Sequence, residues 1–279
     1  MSGPGPVTLV CRGVAAEWTR TAGRGFLWTV AVPLTFALPL VVTFGIAAVA
    51  ERLATLPGQR FVAPVSTVNS VYWVMTFSVS VMMVTAAYAH GTQRRGRTSD
   101  LSTFLFPRAW TVALARWIYY GVIAAISTLA LLVIVMVTLP HQFPELYGAV
   151  DITDSAGIRF LWTVPVYAFA ACGVGIAAGS LVRAPSAAVA VLLFWVYVAE
   201  SAMNLLPHGF TVQAYAPFLN AVAATGQQVA FQPRFGRNGS LLYFILVAVT
   251  LFLAAVVLPI LIRRISGLRR TAVTESGGS

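Results

Sequence analysis

One carboxylate, Glu200, lies inside a long apolar run and is the first candidate for chemistry in this sequence. Asn204 follows one helical turn later and His208 a further turn on, so a regular helix would carry all three on one face. A carboxylate within lipid is costly unless it is hydrated, paired or protonated, which makes it a functional-site candidate by default. Three interpretations stay open: Glu200 lines a polar cavity, reaches water near Pro207, or forms a structural ion pair.

A second line of polar side chains occurs earlier in the chain. Its members are Asn69, Trp73, Thr76 and Ser80. Their spacing of three or four residues places them on one side of a helix. Together with Glu200 and Asn204 they are the candidate residues of a substrate path through the membrane. Hydroxyl groups in such positions more often bond back to the helix backbone, so that interpretation also stays open.

Several kinds of catalytic and metal site are excluded by the sequence. All 18 basic residues are arginine, so no phosphate-binding loop of the G-x-x-x-x-G-K-[ST] type can be completed. His90, His141 and His208 are scattered, which argues against a metal site built from His and Cys. Cys11 and Cys172 do not suggest a disulfide framework. We therefore expect no enzyme active site, no metal and no cofactor bound by this chain.

The segment 88–116 is a short, arginine-rich connection between two long apolar runs. Ser99 and Asp100 can cap a short amphipathic helix, and Pro107 would end it. The candidate residues for contact with a partner protein are Arg94, Arg95, Arg97, Asp100, Leu101, Phe104, Pro107 and Arg108. A topogenic loop anchored by Phe104 and Phe106 is the competing interpretation.

The elements that must hold these residues are membrane helices. Hydrophobic residues make up 58% of 279 positions and charged residues only 9%, whereas soluble domains average about a quarter charged. Apolar runs long enough to cross a bilayer lie near 27–50, 66–89, 110–138, 160–182, 186–206 and 239–262. A helix satisfies its own backbone hydrogen bonds in lipid. We therefore predict an all-α membrane protein with six transmembrane helices within 26–262.

The distribution of arginine predicts the orientation of these spans. When the connections alternate across six spans, thirteen of the 18 arginines fall on one side and five on the other. By the positive-inside rule the richer side is cytoplasmic, so both termini face the cytoplasm. Topology therefore explains the net charge of +10, and no nucleic-acid partner is needed. Arginine without lysine suggests a bacterial protein, and hence the bacterial cytoplasmic membrane.

Further elements are predicted around the spans. Residues 1–25 have the pattern of an amphipathic helix in the cytoplasmic interface, and 263–279 form a cytoplasmic tail. The connection 207–237 is too apolar for a free loop, so short re-entrant helices in the outer leaflet are expected before the last span. Gly175 and Gly179 form a pair of small residues that favours close helix packing over a gating role.

The order of residues in 88–116 resembles the ABC-2 type permeases, the transmembrane subunits of exporters whose ATPase is a separate polypeptide. The matching positions are Tyr88, Gly91, Thr92, Pro107, Arg108 and Arg116. Residues 15–28 are similar to the amphipathic entry helix of actinobacterial members, and residues 206–226 to their outer re-entrant region. Ala87 departs from the pattern, because an acidic residue usually stands there.

The resemblance implies a working unit of paired permeases, identical or homologous, with ABC ATPase subunits that alone bind ATP and magnesium. Residues 94–106 would include a coupling helix that docks on the ATPase and transmits its ATP-driven closure, and the candidate contact residues Pro107 and Arg108 would directly follow it. The second and fifth spans would line the export path. The expected cargo is an amphiphile such as a drug, an antibiotic peptide or a lipid-linked molecule, as in multidrug efflux and antibiotic resistance.

Two functions of other classes also remain open. The chain could be a six-helix membrane enzyme or assembly subunit without transport activity. It could instead be a secondary transporter that uses Glu200 as a proton site. No internal repeat is visible in the sequence, which weighs against the secondary transporter.

Overall fold

The computed structural model describes residues 5–23, 25–54, 63–94, 109–229 and 233–259. Within these ranges 85% of residues are helical and none lies in a strand. Six of the described helices are long and apolar enough to cross a membrane, which confirms the predicted all-α class and supports a multi-pass membrane protein. The predictions for the C-terminal tail and for Arg95, Arg97, Asp100, Leu101, Phe104, Pro107 and Arg108 lie outside the described residues.

We number the helices along the chain, beginning with α1 at Pro6–Thr21. The six candidate spans are α2 (Leu27–Ala54), α3 (Thr67–Gln93), α4 (Trp110–Gln142), α5 (Ser155–Leu181), α6 (Pro185–Leu205) and α9 (Gly236–Val257). Two short helices, α7 (Gly209–Gln213) and α8 (Pro217–Thr225), lie between α6 and α9. A single helical turn, Pro144–Tyr147, lies in the connection between α4 and α5.

The start of α5 is set by a cap rather than by its first apolar residues. The helix begins at Ser155, ahead of the apolar run near 160. Asp154 has an extended backbone, and its Oδ1 accepts a hydrogen bond from the Ser155 N–H at 2.5 Å. A carboxylate at this position also interacts favourably with the positive end of the helix dipole. Polar residues therefore extend the helix beyond the apolar run.

Helices α3 and α5 form the centre of the bundle. About two thirds of the most apolar window of each is buried, 67% for α3 and 72% for α5, against 28% for α2 and 17% for α6. Close backbone approach explains the contact between them. A Cβ atom on Gly175 would lie 2.3 Å from the Met83 carbonyl oxygen, and one on Gly179 would lie 2.5 Å from that of Ala87. The packing interpretation of the glycine pair is confirmed.

The contact between α3 and α5 also explains why position 87 is alanine and not the acidic residue that the sequence pattern usually has there. Its side chain is fully buried where α3 crosses α5. A carboxylate at this position would have to be accommodated at a close approach of α3 to α5, where a Cβ on Gly179 would lie 3.4 Å from the Ala87 Cα. Burial of a charge without a partner is strongly unfavourable. The small residue at position 87 therefore fits the packing of this chain.

Helix α1 packs along the beginning of α4. Its buried residues are Leu9, Gly13, Glu17 and Thr21, which repeat every four residues and form one stripe. A Cβ atom on Gly13 would lie 2.6 Å from the Cβ of Ala115, so the two helices are in direct contact. We call this side of the bundle the α1 end and the opposite side the far end. The α1 end contains the starts of α2, α4 and α6.

Four of the spans contain a wider π-helical turn that periodicity did not predict. The turns are Leu27–Ala31 in α2, Val74–Ser78 in α3, Trp195–Ala199 in α6 and Leu253–Val257 in α9. Each one rotates the residues that follow it relative to a continuous α-helix. Such turns are uncommon and are found frequently at functional sites.

The apolar connection after α6 contains α7 and α8, in agreement with the expectation of short helices there. Its turns use positive φ angles, 59° at His208 before α7 and 103° at Gly226 after α8. Gly226 ends α8 in the left-handed conformation typical of helix C-termini, and its N–H donates to the Ala223 carbonyl. The segment therefore folds back onto the bundle as compact structure.

We predict that Gly175→Ala lowers the free energy of unfolding by about 1–3 kcal/mol, because the added methyl group would meet backbone and not a flexible side chain. The measurement is chemical denaturation in mixed micelles. Gly45→Ala is the matched control, since a Cβ at Gly45 in α2 meets nothing within 4 Å. Equal stability of the two variants would contradict the packing of α3 on α5.

Candidate functional site

A cleft of about 210 Å³ lies between α3, α6 and the α7–α8 segment. Helix α3 contributes Thr76 and Ser80, and α6 contributes Tyr197 and Ser201. The remaining wall includes Phe218, near the start of α8. Two residues of the polar line predicted in the second span therefore meet residues of the fifth span around one cavity.

Tyr197 joins the two spans across this cleft. Its hydroxyl group lies 2.9 Å from the Thr76 carbonyl oxygen and 2.8 Å from the Ser80 hydroxyl oxygen. Tyr197 is the donor in both contacts, so its single O–H proton is shared between the Thr76 carbonyl oxygen and the Ser80 hydroxyl oxygen. Nearer the α1 end, α3 and α6 are also in contact, because a Cβ on Gly91 would lie 3.3 Å from Pro185. The cleft therefore occupies the part of the α3–α6 boundary on the far side of these contacts.

Glu200 lies behind the cleft wall rather than in the cleft, and its side chain is completely buried. Its carboxylate accepts backbone N–H groups at the start of α8, from Phe218 at 3.1 Å and from Leu219 at 2.9 Å. The Trp195 indole N–H donates to the same carboxylate at 2.9 Å. A carboxylate at a helix N-terminus satisfies orphan donors and interacts with the positive end of the dipole. Glu200 thus ties α6 to α8.

The π-helical turn Trp195–Ala199 supports this arrangement. The backbone N–H of Glu200 donates to the carbonyl of Trp195, five residues earlier. The wider turn lets the Trp195 ring and the Glu200 carboxylate meet, as they would not on a regular α-helix. In addition, the Gln213 side chain of α7 donates to the Glu200 carbonyl at 3.2 Å. The carboxylate of Glu200 therefore binds the start of α8, and its backbone carbonyl binds α7.

The opposite end of α8 is held by a basic side chain. Arg159 of α5 donates through Nε to the Ala224 carbonyl at 2.9 Å and through Nη2 to Asn238 Oδ1 at 2.9 Å. A cation at a helix C-terminus complements the negative end of the dipole. The buried Asn220 donates to the Ala214 and Ala216 carbonyls and accepts from Ser240 at 3.0 Å. Helix α8 is therefore fixed at its ends and along its length.

The other residues of the predicted path have different surroundings. Asn69 Oδ1 accepts from Gln227 at 2.8 Å, and its amide donates to Gln228 at 3.3 Å, so it connects the start of α3 to the chain after α8. Trp73 stacks on Phe77, with ring centroids 5.5 Å apart. Asn204 is exposed in a short 3₁₀ turn and does not line the cleft.

A second cluster of polar side chains is buried at the α1 end, and sequence reasoning did not identify it. Arg116 of α4 donates through Nε to Glu17 of α1 at 2.7 Å. The same guanidinium contacts His90 Nδ1 at 3.1 Å and Gln93 Oε1, both on α3. Arg20 also pairs with Glu17. Glu17, His90 and Arg116 are each no more than 6% exposed.

This Arg116 cluster extends to α5 through Ser180. His90 Nε2 lies 2.9 Å from the Ser180 hydroxyl, which donates to the Ile176 carbonyl at 2.9 Å. Arg94, just after α3, donates to the Ser180 carbonyl. Since Arg116 can only donate, the bonding pattern assigns an acceptor Nδ1 and a donor Nε2–H to His90. The Arg116 cluster thus joins α1, α3, α4 and α5 next to the segment 95–108.

Of the eight predicted contact residues, the structure describes Arg94 alone, and it places this residue at the edge of the Arg116 cluster. Within the described ranges, no group of three or more His, Cys, Asp or Glu residues could hold a metal ion. The buried acid Glu17 instead binds arginine, and the buried acid Glu200 binds the start of a helix.

We expect Arg116→Met to lower the free energy of unfolding by about 3–5 kcal/mol, toward the lower figure because Glu17 keeps Arg20 as a partner. The reason is a buried carboxylate left without its principal counter-charge. Chemical denaturation of Arg116→Met, Glu17→Gln and the double variant should show a loss smaller than the sum of the two. Arg12→Met, on the exposed side of α1, is the control. Strict additivity would contradict the buried pair.

We also expect Glu200→Gln to release the start of α8. The amide offers one oxygen to three donors, which leaves buried N–H groups unsatisfied at about 1–3 kcal/mol each. Hydrogen exchange should be faster at the Phe218 and Leu219 amides than in the native protein. The exposed Glu145→Gln provides the control. Unchanged exchange at both amides would show that the carboxylate does not cap α8.

A scan against protein-family models, a search of curated proteins and a search of solved structures each found no match for this chain. The cleft, the Arg116 cluster and the order of residues in the sequence are therefore the features of this chain that bear on its function.

Proposed function

We propose that this chain is the permease subunit of an ABC-2 type exporter and that it moves an amphiphile across the membrane. The observation that carries the proposal is the position of the Arg116 cluster. It joins Gln93, at the end of α3, to Arg116, about two turns into α4, and so ties together the two helices that flank the arginine-rich segment 95–108. A partner that docks on that segment would therefore act on two helices that are bonded to each other.

The fixed attachment points support a coupling role for the segment between them. Arg94 and Gln93 on one side and Arg116 on the other bond within the same cluster. Gly91 packs against Pro185 at the start of α6. A displacement of the segment would therefore reach α3, α4 and α6 together. In the proposed complex, separate ABC ATPase subunits bind ATP and magnesium and supply that displacement.

The cleft is the proposed entry to the substrate path. It lies between the second and fifth spans, and α6 exposes most of its surface, with only 17% of its most apolar window buried. In the proposed assembly a second copy of the permease, or a homologous one, covers this face together with lipid. Both termini then face the cytoplasm of a bacterial cell.

The remaining elements fit this membrane placement. Trp18 of α1 is 57% exposed and lies edge-on to Trp28, as an aromatic anchor at an interface would. We infer that α1 lies in the cytoplasmic interface. We infer likewise that α7 and α8 form the outer re-entrant segment, since both ends of α8 are capped by side chains of the spans, Glu200 of α6 and Arg159 of α5. The Glu200 carboxylate already accepts three hydrogen bonds. This argues against its use as a proton site of a secondary transporter.

The proposal is tested by co-expression with an ABC ATPase encoded beside it. The purified permease alone should show no ATPase activity, and the ATPase should co-purify with it. Arg95→Glu combined with Arg97→Glu should abolish both the association and the coupled ATPase activity, because it reverses the charge of the docking segment. Arg94 is left unchanged, since its guanidinium holds the Ser180 carbonyl.

The control for this experiment is Arg269→Glu combined with Arg270→Glu, which makes the same charge change in the C-terminal tail. Association that survives reversal at Arg95 and Arg97 would refute the docking role of the segment. Loss of association in the control as well would show that general charge attraction accounts for the binding.

A further inference from the structure

We propose that the cleft accepts the uncharged, hydroxyl-bearing head of an amphiphile and excludes cationic heads. This inference rests on the proposed function, because it assigns a substrate class to the same path. It separates the cargoes that the resemblance leaves open, since cationic drugs and cationic peptides would not be bound.

The first support is the chemistry of the cleft wall. The polar groups that face it are hydroxyls and amides, including those of Thr76, Ser201, Gln213 and Gln228. The apolar part includes Met75, Val196 and Val222. Among the described residues that line the cleft, none is charged. Such a surface can exchange hydrogen bonds with hydroxyl groups and can cover apolar atoms. It has no counter-charge for an ion.

The second support is the state of the two charged groups that hold the wall. The Glu200 carboxylate accepts from Phe218, Leu219 and Trp195 and is completely buried. The Arg159 guanidinium is bonded to Ala224 and Asn238 at the other end of α8. Either group would have to give up the helix it holds in order to pair with a ligand. A charged head would therefore lose hydration without gaining an ion pair.

The third support is size. A cleft of about 210 Å³ is smaller than the roughly 300–1,000 Å³ typical of pockets that enclose a whole ligand. Tyr72 and Tyr197 line it while remaining 44% and 39% exposed, so the cavity is not closed off from its surroundings. The exposed apolar residues Val198 and Leu205 continue the surface of α6. The cleft thus holds a head group, and the apolar chain lies along α6.

The test is binding of two fluorescent probes to the purified chain in nanodiscs of phosphatidylcholine. One probe is a dansyl-labelled alkyl glucoside, and the other has the same chain with a primary ammonium head, which is strongly hydrated and is less suited than a quaternary ammonium to binding on the aromatic rings of the cleft. Energy transfer from tryptophan to dansyl reports binding. We expect the glucoside to bind at least about tenfold more tightly, a difference of about 1.4 kcal/mol.

Gln228→Glu supplies the sharpest change, because it adds one negative charge to the cleft without changing shape. It also keeps an acceptor for the Asn69 amide. This variant should bind the ammonium probe more tightly than the native protein does. Ser201→Asp should act in the same direction from the α6 wall. Gln142→Glu, an identical substitution at an exposed position of α4, should leave both affinities unchanged.

Two outcomes would overturn the inference: preference of the native protein for the ammonium probe, or affinities that neither cleft variant changes. Competition by octyl glucoside from solution, compared with a diacyl glucolipid in the nanodisc, distinguishes a soluble cargo from a lipid. Failure of both to displace the glucoside probe also counts against the site. None of these measurements needs the ATPase, so failure of the ATPase to co-purify with the native permease would refute the proposed function while leaving the selectivity of the cleft standing.

Discussion

The constraint on which this structure depends is the burial of charge in an apolar bundle. Glu17 is almost completely buried and Glu200 is completely buried. The negative charge of each is compensated in a different way. Glu17 pairs with Arg116, whereas Glu200 accepts the free N–H groups of a helix. Uncompensated burial would cost several kcal/mol in either case. The positions of α1 and α8 therefore follow from these two carboxylates.

The features that sequence could predict are those determined locally. Apolar runs locate the six spans because each run must match the bilayer thickness, and the Gly175–Gly179 spacing identifies a close helix crossing. The pairing of Glu17 with Arg116 joins residues 99 positions apart. No periodic pattern specifies such a partner. Only the packing of α1 on α4 brings the two together.

The predicted geometry around Glu200 is wrong, and the reason is local. A continuous α-helix would place Glu200 and Asn204 on one face. The π-helical turn before Glu200 and the 3₁₀ turn at Met203–Leu205 remove that regularity. As a result Glu200 is buried while Asn204 is exposed. Thr76 and Ser80 do line the cleft, because they lie on α3 where its partner Tyr197 approaches.

The strengths of these contacts indicate how the cleft could change shape under the proposed function. Helix α3 runs from Ser80 at the cleft to Gln93 in the Arg116 cluster, a length of roughly 20 Å at about 1.5 Å per residue. Its link to α6 at the cleft is the neutral hydroxyl of Tyr197, and such bonds contribute only about 0.5–1.5 kcal/mol. The bonds of Glu200 to α8 involve a charged group, for which about 1.5–3 kcal/mol is typical. When α3 and α6 move relative to each other, the Tyr197 contact would therefore break before the bonds of Glu200 to α8. Helices α6 and α8 would stay together as one wall, and the cleft would open along α3.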